Sequence, residues 1–399
     1  MFTKKLLHCF SKLETPFYYY DMELFHKSLK TLRKAADKYN CQVHYALKAN
    51  ANNRILEIIR DYGFGADCVS GNEVQKAIEV GFPLEKIVFA GVGKNNHEIN
   101  YAIDHSIFGF NCESIEEIEI INDWAAKKQK IVPLSLRLNP DIDAVTHNFL
   151  TTGLNDNKFG IPLFYLEEAI EKLNQLNNVT LIGLHFHIGS QITSMEPYIM
   201  LCKRVNAIQD EIHEKYGLEL PHINLGGGLG INYQDPNQEL IPDFEKYFAT
   251  IHQHLKVRNK QQVHFELGRS VVGQFGSLIS RVLYIKKGIN RQFAILDAGM
   301  SDLIRPALYG SYHKIENLSK QNKAIEGIKY DVVGPLCETS DSFNRDVELP
   351  LTERDDIIAI RSAGAYGEIM VSQYNLRNKP VAVYSDELIK KKEINGSVI

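Results

Sequence analysis

The sequence predicts an α/β protein: a (β/α)8 TIM barrel with a second, mainly antiparallel β domain. Three observations carry that expectation. Short β-rich runs alternate with amphipathic stretches from Gln42 to Gly268, eight such runs can be counted, and beyond Arg269 the helical rhythm stops while period-2 runs continue. Periodicity alone does not count strands, so a doubly wound sheet stays open as an alternative.

The opening "PFYYYD" is strand-like and is expected to join the β domain, making that domain discontinuous. The eight barrel runs are "QVHYALKA" from Gln42, "GFGADCVS" from Gly63, "KIVFAG" from Lys86, "SIFGFN" from Ser106, "VPLSLRLN" from Val132, "TLIGLHFHIG" from Thr180, "HINLGGG" from His222 and "VHFELGR" from Val263. Between the first two, "ILEIIRDYG" puts Ile55, Ile58 and Ile59 on one face and ends on Gly63 as a C-cap. Further on, "SIEEIEIINDWAAKK" offers Ser114 as N-cap with Glu117 as its capping-box partner. After Arg269, "SLISRVLYIKKG", "RQFAILDAGM", "KYDVVGPLC", "DIIAIRSAGAYG" and "PVAVYS" read as largely antiparallel strands. The barrel is placed at residues 25–268 and the β domain at 1–24 plus 269–399, with a frayed charged tail after "YSDELIKKK".

Composition removes several classes. Lys plus Arg total 45 against 49 Asp plus Glu, a net charge of −4, which argues against a nucleic-acid binder. The 44% hydrophobic and 24% charged content is that of a folded globular chain. Six scattered cysteines without a CxxC pair suit neither a disulfide framework nor a zinc site, so reduced thiols in a cytoplasm are expected. The N-terminus never develops the apolar core of a secretory signal, and no apolar run approaches the roughly 18 residues of a membrane span. A soluble, cytoplasmic protein is the expectation.

Lys48, Asp67, Asn111, Arg137, His185, His187, Gly226–Gly228, Glu266 and Arg269 all fall at the C-terminal ends of predicted strands, the barrel face where active sites are built. Lys48, flanked by Ala46, Leu47 and Ala49, would be desolvated and so able to form a Schiff base; a salt-bridged strand-end lysine is the alternative. The run "NLGGGLG" lets backbone N–H groups close around an anion such as phosphate, or is a plain tight turn. In "HFHIGSQ" the two imidazoles lie on opposite sides of a strand, so one at most faces the interior, and no third metal ligand is near. His187 could stack on a planar ring, with Ser190 donating to a phosphate. In "ELGR", Glu266 and Arg269 are either an acid–base pair or a structural ion pair. Together these are the parts needed to hold pyridoxal phosphate.

In order along nearly the whole chain, "TPFYYYD", "HYALKANAN", "GADCVSGNE", "LRLNPD", "KFGI", "HFHIGSQ", "NLGGGLG", "ELGR", "MSDLIRPALYG", "GPLCETSD" and "AGAYG" resemble the fold-type III pyridoxal-phosphate decarboxylases, most closely those acting on diaminopimelate. The resemblance implies a barrel plus β domain in a head-to-tail homodimer with active sites at the subunit interface. It implies that Lys48 holds the cofactor, His187 lies against its ring, Glu266 pairs with its pyridine nitrogen, and Ser190, Gly226, Gly227, Gly228 and Tyr366 bind its phosphate, with Asp67, Gly268 and Arg269 beside them. Substrate contacts carried over are Arg269, Arg305, Tyr309 and Tyr366 for a distal carboxylate and Glu338 for a distal amine. Cys337 and Glu338 would come from the partner subunit, with Cys337 as the reprotonating acid. The implied reaction is decarboxylation of meso-2,6-diaminopimelate to L-lysine, the last step of lysine biosynthesis. Decarboxylation of ornithine, arginine or carboxynorspermidine, a barrel racemase using Tyr366 or Tyr309 as base, and a non-catalytic cofactor carrier are the alternatives. Leu267 departs from the family's usual proline, which puts local loop stiffness in doubt.

Overall fold

The computed structural model describes residues 2–142, 158–320 and 328–388, so the charged tail lies outside the described residues. Its strands are β1 (Phe17–Tyr20), β2 (Cys41–Ala46), β3 (Gly65–Cys68), β4 (Ile87–Phe89), β5 (Gly109–Cys112), β6 (Val132–Asn139), β7 (Ile161–Pro162), β8 (Val179–His185), β9 (His222–Asn224) and β10 (Gln262–Leu267). They continue as β11 (Gly276–Lys287), β12 (Gln292–Leu296), β13 (Ile315–Asn317), β14 (Ile328–Val333), β15 (Ser342–Leu349), β16 (Ile357–Ile360) and β17 (Val381–Tyr384). Two compact units result: one of residues 29–230 and 243–268, the other of residues up to 28, 231–242 and from 269 on.

The first unit is a closed parallel barrel. β2 pairs β3, β3 pairs β4, β4 pairs β5, β5 pairs β6, β6 pairs β8, β8 pairs β9, β9 pairs β10, and β10 returns to β2. All eight expected runs are therefore barrel strands, and the doubly wound alternative fails because the first and last of them are bonded together. The strands bury both faces, as a helix-covered parallel sheet must. Local expectations hold with two adjustments. In the helix Asn53–Asp61, Leu56 joins Ile55 and Ile59 in the core while Ile58 stays half-buried. Ser114 caps its helix by accepting from the Glu117 N–H, but the Glu117 carboxylate turns instead to the Glu113 N–H and Lys94, so the reciprocal half of the capping box is not made.

The second unit is a sheet in the order β13-β16-β11-β12-β14-β15, with β1 antiparallel to β11 and β17 parallel to β1. The strand-like opening thus does join the C-terminal residues. All four β1 side chains are buried, and Phe10 packs edge-on against Phe17 and Tyr19 at 5.3 and 5.0 Å between ring centres. Each such ring contributes about 1.5–3 kcal/mol by leaving water, which is why so short a strand is held. Two strands, β13 and β15, carry no alternation strong enough to have been read from sequence.

Inside the barrel, two residues before Glu266 on β10, His264 joins a buried chain of imidazoles. His44 Nδ1 stands 3.0 Å from the Lys86 carbonyl, an acceptor, so that nitrogen carries the proton; His44 Nε2 then accepts from His264 Nδ1 at 2.9 Å, and His264 Nε2 from His222 Nδ1 at 3.0 Å. Glycine makes the room, since a Cβ on Gly65 would stand 2.5 Å from His44 Nδ1. Burial lowers the pKa of all three rings. Their stabilising contribution is therefore complete above the unfolded histidine value of about 6.5 and is lost as pH falls through it toward the lowered folded values. Thermal melts should show a midpoint that drops between about pH 7.5 and 5.5, with His264→Gln flattening that dependence; an unaltered slope in the variant would remove the imidazole chain as its source.

Candidate active site

Closure of the barrel brings the ends of strands far apart in sequence around one carboxylate. Glu266, on β10, is buried, and three side chains from three other strands donate to it. Asn111 on β5 reaches Oε1 at 3.0 Å, Asn224 on β9 reaches Oε1 at 2.7 Å, and His185 on β8 reaches Oε2 at 2.9 Å. Burial pushes the carboxyl pKa up, but His185 and Lys48 outweigh it and hold the group far below the usual carboxylate range. Glu266 is a buried anion, with room on Oε2 for one further donor.

Lys48 lies in a one-turn helix, Leu47–Ala49, directly after β2, and its Nζ donates to Asp67 Oδ2 at 2.7 Å. The apolar pocket expected from Ala46, Leu47 and Ala49 is thus replaced at the amine by an ion pair with a fully buried carboxylate. Asp67 behaves oppositely to Glu266: burial first, and then Glu266 itself, push its pKa up against the pull of Lys48. Its Oδ1 has no hydrogen-bond partner among the described residues, and neither has Nδ1 of His185.

The expectation that the two imidazoles lie on opposite sides is corrected: residues two apart along a strand project to the same face, and β8 ends at His185 with His187 just beyond it. His185 contacts Glu266 directly through Nε2. Burial, then Arg137 and Lys48, push the His187 pKa down to about 3, so the ring is neutral, and its Nδ1 accepts from the Gly227 N–H at 3.2 Å.

The glycine run is a tight turn in its own right. A Cβ on Gly226 would lie 2.2 Å from the Phe186 carbonyl oxygen, and one on Gly227 would lie 2.0 Å from that of Glu266. Gly226 and Gly228 also adopt φ of 68° and 102°. The Gly226 N–H already donates to Asn224 Oδ1 and that of Gly227 to His187, so the expectation that all three glycines offer their N–H to an anion is corrected: the first two are spent locally. Ser190, half-buried, follows Gly189 in the neighbouring loop. Gly268 is equally constrained, since its Cβ would stand 3.0 Å from Ala49 Cβ, beside the turn that carries Lys48. Leu267, fully buried, simply extends β10 by one pair with Tyr45.

The remaining candidates belong to the second unit. Arg269 and Arg305 both donate to the hydroxyl of Tyr233, at 2.7 and 2.9 Å. The Arg269 guanidinium lies 4.8 Å from the Tyr366 ring centre. Tyr366 itself holds a left-handed φ of 55°, and Tyr309 ends the helix Arg305–Tyr309. Cys337 and Glu338 are exposed on the loop between β14 and β15, which Asp341 ties down by accepting from the Leu336 and Met300 N–H groups. Sequence reasoning missed Tyr233 and the partnership of Asn111, Asn224 and His185 with Glu266. Strand-end polar residues were the available signal for the last three; Tyr233, a few residues past the glycines, had none.

Residues 23–273 match the model of the pyridoxal-binding domain of pyridoxal-dependent decarboxylases. The chain is 54% identical over 381 residues to the diaminopimelate decarboxylase of Bacteroides thetaiotaomicron, covering 95% of this chain and 98% of that one. Among solved structures it resembles the Helicobacter pylori diaminopimelate decarboxylase complexed with L-lysine, at 35% identity and a TM-score of 0.88, covering 98% of this chain and all of the other. The M. jannaschii diaminopimelate decarboxylase in co-complex with L-lysine follows at 34% identity and a TM-score of 0.86, covering 95% and 89%.

Asn224 both donates to Glu266 and receives the Gly226 N–H, so Asn224→Leu, close in size, strands two polar groups. Denaturant unfolding should show a loss of about 1–3 kcal/mol, the cost of leaving buried polar groups unmatched; stability equal to the parent would mean that the Glu266 network does not depend on it.

Proposed function

The chain belongs to the diaminopimelate decarboxylase family of pyridoxal-dependent decarboxylases, and we propose that two clusters of its own residues divide the work of that reaction. It is a carboxy-lyase that uses pyridoxal phosphate to convert meso-2,6-diaminopimelate into L-lysine and carbon dioxide. One observation carries the assignment of residues: a buried, ionised carboxylate, Glu266, shares a barrel end with the amine of Lys48.

The barrel residues fit the cofactor. Buried atoms without partners among the described residues, Asp67 Oδ1 and His185 Nδ1, mark a polar site built for more than its own side chains. When bound, pyridoxal phosphate supplies an electron sink for the pair released as the α-carboxylate departs. Glu266, with its one unused lone pair on Oε2, keeps a proton on the pyridine nitrogen. Lys48 anchors the group, and Asp67 steadies its amine. His187, neutral and oriented by the Gly227 N–H, would lie against the ring. The phosphate is held by the Ser190 hydroxyl and the Gly228 N–H, with Gly268, Arg269 and Tyr366; Gly226 and Gly227 contribute the shape of the turn rather than their N–H groups.

Substrate recognition falls to Arg269, Arg305, Tyr309 and Tyr366 for the distal carboxylate and to Glu338 for the distal amine. Cys337 returns a proton to the carbon that has lost its carboxylate. Both Cys337 and Glu338 act in the active site of a second copy of the chain. Support for that comes from their surroundings. Tyr374 donates to Glu338, and next to it Leu376, 94% exposed, and Asn375 both hold left-handed backbone. A leucine thrown outward at a conformational cost, with Ile369 also exposed nearby in sequence, suits a surface that another subunit covers.

Lys48→Ala should lose both the visible absorbance of the bound cofactor and carbon dioxide release from meso-diaminopimelate, the latter by roughly 10⁴-fold or more, as when a covalent catalyst is removed. Full absorbance in that variant would sink the anchoring role. Mixing Lys48→Ala with Cys337→Ala, each inactive alone, should restore activity if subunits share sites; a mixture as dead as its components would show that each chain works with its own Cys337.

A further inference from the structure

Tyr233 has no part in the reading above, yet it is the centre of the arginine cluster. It lies in the 231–242 segment, is buried, and its ring has Arg305 at 5.0 Å and Arg269 at 5.9 Å from its centre. Its hydroxyl oxygen accepts from Nη1 of both arginines. Arg305 has two further acceptors. His313 Nδ1 stands 2.8 Å from the Arg361 carbonyl and so carries the ring proton, leaving Nε2 to accept from Arg305 Nη1 at 2.9 Å; Ser311 Oγ accepts from Nη2 at 3.3 Å. Among the described residues all three acceptors of Arg305 are formally neutral groups, so they solvate its buried charge without cancelling it.

Two guanidinium groups repel each other, and without a shared acceptor each would turn toward separate partners. The geometry points to Tyr233 as a positioning residue that gathers Arg269 and Arg305 onto one oxygen, so that together they meet the distal carboxylate of the substrate as a single preorganised receptor. This rests on the reading that these arginines bind that carboxylate. A neutral oxygen holds the pair without competing for it as a buried carboxylate would, and the ring, edge-on to His313 at 5.1 Å, fixes where the oxygen sits. The two arginines also pull the phenol pKa down against burial, as expected of an oxygen that accepts from both.

Tyr233→Phe removes the oxygen and keeps the ring. In the holoenzyme it should raise KM for meso-diaminopimelate about tenfold, the scale of one hydrogen bond to a charged group, while kcat changes little and cofactor absorbance is unaltered. Inhibition by L-lysine, which keeps the distal carboxylate, should weaken equally, while inhibition by 1,5-diaminopentane, which lacks it, should not change. In an Arg305→Ala background the Phe substitution should add little, because the two changes remove the same receptor. An Arg305→Ala variant with its KM intact would overturn the carboxylate reading and the proposal with it. An Arg305-sensitive KM that ignores Tyr233→Phe, or L-lysine and diaminopentane affinities that fall together, overturns the role of Tyr233 alone. If the Phe variant does not stay folded, Tyr233→Met, similar in volume and equally without a hydroxyl, reads the same quantities.

Discussion

An ionised carboxylate in a barrel interior is the constraint to which the rest of the catalytic half answers. Taking Glu266 out of water costs several kcal/mol, and only donors placed on its lone pairs can offset that. No single stretch of chain supplies them. Asn111, His185 and Asn224 come from β5, β8 and β9, and they converge only because eight parallel strands close on themselves in one register. The local backbone obeys the same demand. Gly227 must lack a Cβ because the carbonyl of Glu266 passes through the space one would fill.

Around that anion the interior is graded by protonation state. Glu266 is held ionised by its donors, Asp67 is pushed toward its proton by burial and by Glu266, and the histidines His44, His264 and His222 are kept neutral by desolvation. The same burial acts on each group; the outcome differs with the number and charge of the partners within reach. Lys48 lies between these regimes, its ammonium leaning on Asp67 while its field stabilises Glu266. An amine so placed has a counter-ion at rest and a reason to leave it only for a group that brings its own partners.

The second unit solves the opposite problem. Arg305 is buried with neutral acceptors among the described residues, and Arg269 shares one of them. Exposed Cys337 and Glu338, on a loop pinned by Asp341, place a thiol and a carboxyl group at the surface instead of in either buried cluster.

Composition, strand rhythm and motif order were enough to identify the barrel, the β unit with its N-terminal strand, the cofactor and the reaction. Those features are local: a strand's alternation, a glycine's lack of a side chain and a lysine's chemistry are written within a few residues. The partners of Glu266, the ion pair that Lys48 makes with Asp67, the spent N–H groups of Gly226 and Gly227, and the bridging hydroxyl of Tyr233 were not. Each is a meeting of side chains separated by tens to hundreds of positions, and hydrogen bonds act over about 3 Å, so only the closed register of the strands could decide which polar groups met. The expectation that His185 and His187 oppose each other misread a local signal, since residues two apart along a strand share a face; which groups those rings meet was decided by the strands and turns that close beside them.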